Sequence, residues 1–181
     1  MIDQTEVQVG TGTEADLPAL TELYNHYVRE TPITFDTVPF TPDQRRPWLL
    51  SHLEDGPHRL LVARHNGRDA RNVPSGVLGY ATTGPFRAKP AYGTSVEASV
   101  YLAPDAVGRG IGALLYTRLF ELLAHEDVHR AYAGIALPNE ASVRLHTRFG
   151  FRHTGTFTEV GRKFGRYWDV AWYEKPLRPG A

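Results

Sequence analysis

A chain of 181 residues, 41% apolar and 11% aromatic, can bury a proper core and lies in the size range of one domain, expected here over 1–181. Twenty basic residues balance twenty acidic ones, so no net field draws the chain to nucleic acid or an anionic membrane. Without cysteine there is no disulfide, thiolate metal site or cysteine nucleophile, and no apolar run approaches a membrane span, so a soluble, cytoplasmic protein is expected.

TEVQV alternates as a strand does. EADLPALTELYNHYV places Leu17, Leu20, Leu23, Tyr24, Tyr27 and Val28 on one helical stripe, with Thr13 as N-cap and Asp16 completing a variant capping box. TPITFDTVPFTPDQ is too rich in proline and threonine for regular structure, and a short helix follows from Pro42 to about Leu53. RLLVARHNGRDARNVPSGVLGYATTG reads as two strands joined by a turn at Asn66 and Gly67, and its basic stretch from Arg59 to Arg71 reads as a solvated turn. GPFRAKPAYGT is a loop, and SVEASVYLAP a strand closed by Pro104. IGALLYTRLFELLAH carries leucines at helical spacing, VHRAYAGIAL is a strand, and NEASVRLHTRFG is a helix capped by Asn139. Two strands near FRHTGTFTEV and RYWDVAWYEKP complete a mixed α/β sandwich with helices covering a central sheet.

The stretch AVGRGIGALLY suits an anion at a helix start. A dinucleotide fingerprint needs a strand running straight into the glycines, whereas Pro104 to Val107 intervene, and the Gly-Lys-Ser/Thr of an ATP loop is absent. The amides of Gly108 to Ala113 remain able to bind a pyrophosphate without metal, or the glycines serve close packing alone. Glu97 stands in a strand otherwise made of Val, Ala, Ser, Tyr and Leu, either as a solvent-facing charge or as a reactive carboxylate. His146 lies seven residues after Asn139 on the last helix, where it is an ordinary histidine or a proton carrier. The other histidines form no metal-ligand spacing, and no metal is predicted. Arg87, Lys89 and Tyr92 offer two cations and a phenol to a carboxylate or phosphinate, unless that loop is merely solvated.

The order SVEASVYLAP, GRGIGALLY, LPNEASVRLHTRFGF resembles the GNAT acetyl-coenzyme A-dependent N-acetyltransferases. With NHYVRETPITF, GPFRAKPAY and GRKFGRYWDVAWYEK it is similar to their phosphinothricin and methionine sulfoximine branch. The resemblance implies the GNAT fold, a mixed sheet of about seven strands flanked by about four helices, and acetyl-CoA as cosubstrate. It implies direct transfer in a ternary complex to the amine of a small amino acid or analogue. Glu97 matches the general base and His146 a second acid or base. Val100, Tyr101 and Leu102, the loop Gly108, Arg109, Gly110, Ile111, Gly112 and Ala113, and Asn139 match cofactor positions, with the sheet splayed open beside Val100 to Leu102. Thr34, Phe35, Arg87, Lys89 and Tyr92 match substrate positions. Val107 departs from the family, which has glutamine or arginine there. A homodimer is implied, with Tyr167, Trp168, Trp172 and Tyr173 either in the core or on its face. The alternatives are a polyamine or protein N-terminal acceptor, against which the basic loop speaks, and a non-catalytic acyl-CoA sensor.

Overall fold

The computed structural model describes residues 7–65 and 76–178, so the expected turn at Asn66 and Gly67 lies outside the described residues. Strand β1 spans Val7–Thr11 and leads into a short 3-10 turn, Glu14–Asp16. Thr13 donates to the Asp16 carboxylate from its amide at 2.7 Å and its hydroxyl at 2.9 Å, realising the predicted capping pair. Helix α1 follows over Leu17–Glu30 and buries Leu17, Leu20, Leu23 and Val28. Residues 31–41 form no regular element, as their prolines and threonines predict. At α2, Pro42–Leu50, the Thr41 hydroxyl accepts from the Gln44 amide at 3.3 Å while Gln44 accepts from the Thr41 amide at 2.8 Å. This helix stops short of Leu53, where the last turn tightens: the His52 amide donates three residues back to the Leu49 carbonyl, and the Ser51 hydroxyl takes the carbonyl of Trp48.

Strands β2 (Leu60–His65), β3 (Val77–Pro85), β4 (Ser95–Leu102), β5 (Arg130–Ala136), β6 (Arg152–Lys163) and β7 (Arg166–Pro176) join β1 in one sheet of order β1-β2-β3-β4-β5-β7-β6. Every neighbouring pair is antiparallel except β4 with β5, which α3 (Ile111–Leu123) connects as a crossover. One face buries Leu115, Leu119 and Leu123 of α3 against Ala81, Val96 and Ile135. The other buries Leu17 and Leu20 of α1 and Leu49 of α2 against Val62 and Tyr80. Helix α4, Glu140–Arg148, follows β5. This is the predicted mixed α/β architecture, with seven strands and four α-helices among the described residues.

The basic stretch beginning at Arg59 is not a solvated turn where it is described. Arg59 is buried and pairs with Glu126, and Arg64 reaches the Asp16 carboxylate at 2.5 Å, so both cations tie separate elements together. No helix among the described residues is long and apolar enough to cross a membrane.

Candidate active site

Strands β4 and β5 pair only across Ser95, Val96 and Glu97 with Arg130, Ala131 and Tyr132. Beyond that rung they part, and a cavity of about 460 Å³ opens between them, walled by Val100, Leu102, Ile135, Asn139, Ser142 and His146 among others. On its other edge β4 remains paired with β3, and the Ala103 amide donates to the Leu78 carbonyl at 2.9 Å. Because antiparallel bonds alternate, the backbones of Ala103, Tyr101 and Ser99 face β3, while those of Leu102 and Val100 face the opening. The expected run of backbone contacts from Val100 to Leu102 is therefore interrupted at Tyr101, whose backbone is paired with Tyr80 of β3. The Leu102 carbonyl is already taken by the Tyr27 hydroxyl at 2.6 Å. The free edge thus amounts to the Val100 peptide and the Leu102 amide.

At the start of α3, Gly108 and Gly110 adopt φ of 79° and 81°, a region that side-chain-bearing residues disfavour. No side chain caps the helix, so the first-turn amides carry no cap of their own. Ile111 and Gly112 are buried, Gly108, Arg109 and Gly110 are exposed, and Ala113 is half-buried, so this turn can offer amides to an anion. Val107 is exposed and stands on the wall of the cleft. Asn139 caps α4, its side chain accepting from the Ser142 amide at 3.2 Å, and it borders the same cleft.

Glu97 lies at the last paired rung, opposite Gly84 and Tyr132. It lines a second cavity, of about 350 Å³, together with Thr34, Phe35, Ser99 and Trp172. Ser99, Tyr101, Gly134 and Ala136 belong to both cavities, so Glu97 is next to the splayed cleft. No hydrogen bond or ion pair holds its carboxylate among the described residues. Burial pushes its pKa up, and the nearby Arg87 cation partly opposes that. Arg87 lies over Phe86, 4.3 Å from the ring centroid, and 5.6 Å from that of Trp172.

Three expected substrate residues do not line this cavity. Arg87, Lys89 and Tyr92 are exposed and line neither cavity, although Arg87 is near enough for its charge to act on Glu97. The chain turns away after Arg87 through the 3-10 turn Pro90–Tyr92, and the Tyr92 amide donates back to the Lys89 carbonyl at 3.0 Å. His146 also differs from expectation. It is 3% exposed and both ring nitrogens are spent inside the protein. Nδ1 lies 2.8 Å from the Ser142 carbonyl, so it carries the proton and donates, which leaves Nε2 to accept from the Tyr116 hydroxyl at 2.8 Å. Burial lowers its pKa, which favours the neutral ring, held between Tyr116 and Ser142 at the wall of the cleft.

Four residues outside the expected set shape this region. Lys163, 5% exposed at the end of β6, donates to the Thr34 carbonyl at 2.7 Å, and Gly161 underlies the Phe35 ring. Trp172 lines the Glu97 cavity with its buried indole N–H unpartnered. Arg45 is buried beneath α2. An internal lysine in a turn-rich hairpin and an arginine beside tryptophan are faint sequence signals, and what they contact is far away in the chain. Of the C-terminal aromatics, Tyr173 is core and Tyr167 is exposed.

Comparison with known proteins bears on this geometry. The chain is 72% identical to phosphinothricin N-acetyltransferase of Streptomyces coelicolor, over 95% of this chain and 97% of that protein. It is 35% identical to the L-methionine sulfoximine/L-methionine sulfone acetyltransferase of Salmonella typhimurium, over 91% of each. Its fold superimposes with a TM-score of 0.85 and 28% identity on a phosphinothricin acetyltransferase of Sinorhizobium meliloti in complex with acetyl-CoA, covering 95% of this chain and 89% of that one. The model of the acetyltransferase (GNAT) family matches residues 20–151. With its β4–β5 splay, its glycine turn and these relatives, the chain belongs to the acetyltransferase (GNAT) family, and it is an acyltransferase of the N-acetyl-transferring kind.

Proposed function

We propose that the protein transfers the acetyl group of acetyl-CoA directly to the amino group of a small amino acid or analogue of the phosphinothricin, methionine sulfoximine or methionine sulfone type. The observation that carries this reading is the unspent Glu97 carboxylate at the rung where β4 and β5 part. The cosubstrate supplies an activated acetyl thioester. Val100, Leu102 and Asn139 would hold its extended arm, and the amides of Gly108 to Ala113, with Arg109 nearby, its pyrophosphate. The unpaired β4 edge and the uncapped α3 turn fit such a ligand.

The α-ammonium of an amino acid is protonated at neutral pH, so the acceptor must lose a proton before it attacks. Glu97 takes that proton, directly or through one water, and its raised pKa makes it a stronger base. Thr34, Phe35 and Trp172 wall the acceptor, and Arg87, outside that lining but near enough to act on the Glu97 charge, holds its acidic group. Lys89 and Tyr92 steer the acid from outside the cavity. His146 acts by position, through Tyr116 and Ser142. The absence of cysteine leaves no acetyl-cysteine relay.

The direct test is thiol release from acetyl-CoA with a panel of amino acids, phosphinothricin and methionine sulfoximine. Release with the amino acid analogues supports the reading, and no release with any amine favours the sensor. Val107→Arg is expected to lower the acetyl-CoA KM by roughly fivefold, about 1 kcal/mol for one exposed charge-assisted contact. An unchanged KM would remove position 107 from phosphate binding. Arg87→Gln deletes the cation that holds the Glu97 pKa down, so that pKa rises further. Activity needs the carboxylate, so the acidic limb of the kcat/KM profile moves to higher pH. A limb that stays in place would separate Arg87 from Glu97.

We also infer a homodimer. β6 is an edge strand, and Phe157, Val160, Phe164 and Tyr167 of the β6–β7 hairpin are each more than half exposed. Sedimentation equilibrium at twice the monomer mass is the expected result, and Phe157→Lys combined with Tyr167→Lys should return the monomer.

A further inference from the structure

Under α2, against the Glu97 cavity, lies a recess of about 280 Å³. Ser99 and Tyr101 line both spaces. Arg45, 6% exposed, forms one wall. Its guanidinium carbon sits 4.3 Å from the ring centroid of Tyr24 and 3.8 Å from that of Trp48, and one nitrogen donates to the Leu20 carbonyl at 3.0 Å. It makes no ion pair among the described residues. Tyr80, 1% exposed, lines the same recess with the Arg45 guanidinium beside its hydroxyl, and that hydroxyl makes no well-formed hydrogen bond among the described residues. A guanidinium without a counter-charge and a hydroxyl without a well-formed hydrogen bond are both costly to bury. Both line one space next to the proposed base. Asp36 stands at the exposed mouth, where it accepts from the Tyr24 hydroxyl.

Position along β4 determines which part of an acceptor reaches here. Glu97, Ser99 and Tyr101 share one strand face, opposite Gly84, Thr82 and Tyr80. The Tyr80–Tyr101 rung is therefore about 13 Å from Glu97, and the Ser99–Thr82 rung about 7 Å, at roughly 3.3 Å per residue. An α-carboxylate shares its carbon with the reacting amine, so it stays beside Glu97 and Arg87. Only the far end of a side chain extends toward Arg45.

We propose that this recess, on the acetyltransferase reading above, takes the oxygen-bearing head at the end of the acceptor's side chain, with Arg45 and the Tyr80 hydroxyl donating to its oxygens. A tetrahedral phosphinate, sulfone or sulfoximine has that chemistry. The site would let the enzyme distinguish such heads from apolar side chains of equal length, since an acceptor lacking the oxygen leaves the Tyr80 hydroxyl without an acceptor and the Arg45 charge without a counter-charge.

Tyr80→Phe is the sharpest test, because removing a hydroxyl that served packing alone would leave substrate choice untouched. The measurement is the ratio of kcat/KM for phosphinothricin, and for methionine sulfone, to that for norleucine. A fall of roughly tenfold in either ratio is expected. A fall for phosphinothricin alone assigns the charged phosphinate, and one for the sulfone assigns the neutral head. Arg45→Gln should depress the phosphinothricin ratio further. Both ratios unchanged in Tyr80→Phe would overturn the proposal. Thermal shift with phosphinothricin or methionine sulfone, without acetyl-CoA, keeps the two readings apart. Wild type that acetylates no amine sinks the proposed activity, whereas a shift absent from wild type, or equal in wild type and Tyr80→Phe, sinks the recess.

Discussion

Glu97→Gln is expected to lower kcat by about 10² to 10⁴, the range that a positioned general base contributes. Glutamine keeps the size and polarity of the side chain but has no basic oxygen. The carboxylate makes no ion pair among the described residues, so the fold loses no partner when its charge goes. Burial already disfavours the charged form, so the thermal midpoint should hold or rise. Acetyl-CoA affinity, measured by calorimetry, should be unchanged, because the unpaired β4 edge and the glycine turn are untouched. A variant with full turnover would remove Glu97 from the chemistry, and one that failed to bind acetyl-CoA would make it a structural residue.

Gly161→Ala carries the second largest expected effect. A Cβ at this position would sit 2.0 Å from Phe35 Cε2 and 2.4 Å from Cζ, far inside contact distance. The backbone of β6 is paired with β7 at Trp168, so the Phe35 ring is the part that moves. Phe35 walls the Glu97 cavity, and its displacement should raise the acceptor KM by roughly tenfold with little change for acetyl-CoA. Lys163→Met tests the same clamp from the other side. It removes the donor to the Thr34 carbonyl, and leaving that group unpaired costs about 1 to 3 kcal/mol. Unchanged acceptor KM in both variants would detach the hairpin from substrate binding.

Local chemistry made much of the fold legible. The Thr13–Asp16 and Thr41–Gln44 pairs, the Asn139 cap and the leucine spacing of α3 each act within a few residues, so pattern and structure agree there. Glu97 stood out because a carboxylate is unusual in such a strand. What sequence could not show depends on contacts across the chain. Lys163 meets Thr34 across 129 positions, and no local rule announces that. Lys89 and Tyr92 fitted an acidic ligand by type, but a single 3-10 turn takes them away from the cavity. His146 carried the right chemistry by position, yet its partners Tyr116 and Ser142 consume both nitrogens, and that is visible only in three dimensions.

The parting of β4 from β5 has a consequence for hydrogen exchange. β4 is the fourth of seven strands, and amides in such a strand ordinarily exchange through the slowest, global opening. Val100 and Leu102 instead face the cleft, so their amides should exchange at rates typical of a sheet rim, while Tyr101 between them stays slow. Acetyl-CoA should slow those two amides selectively, giving a two-residue footprint of the ligand in the middle of the core.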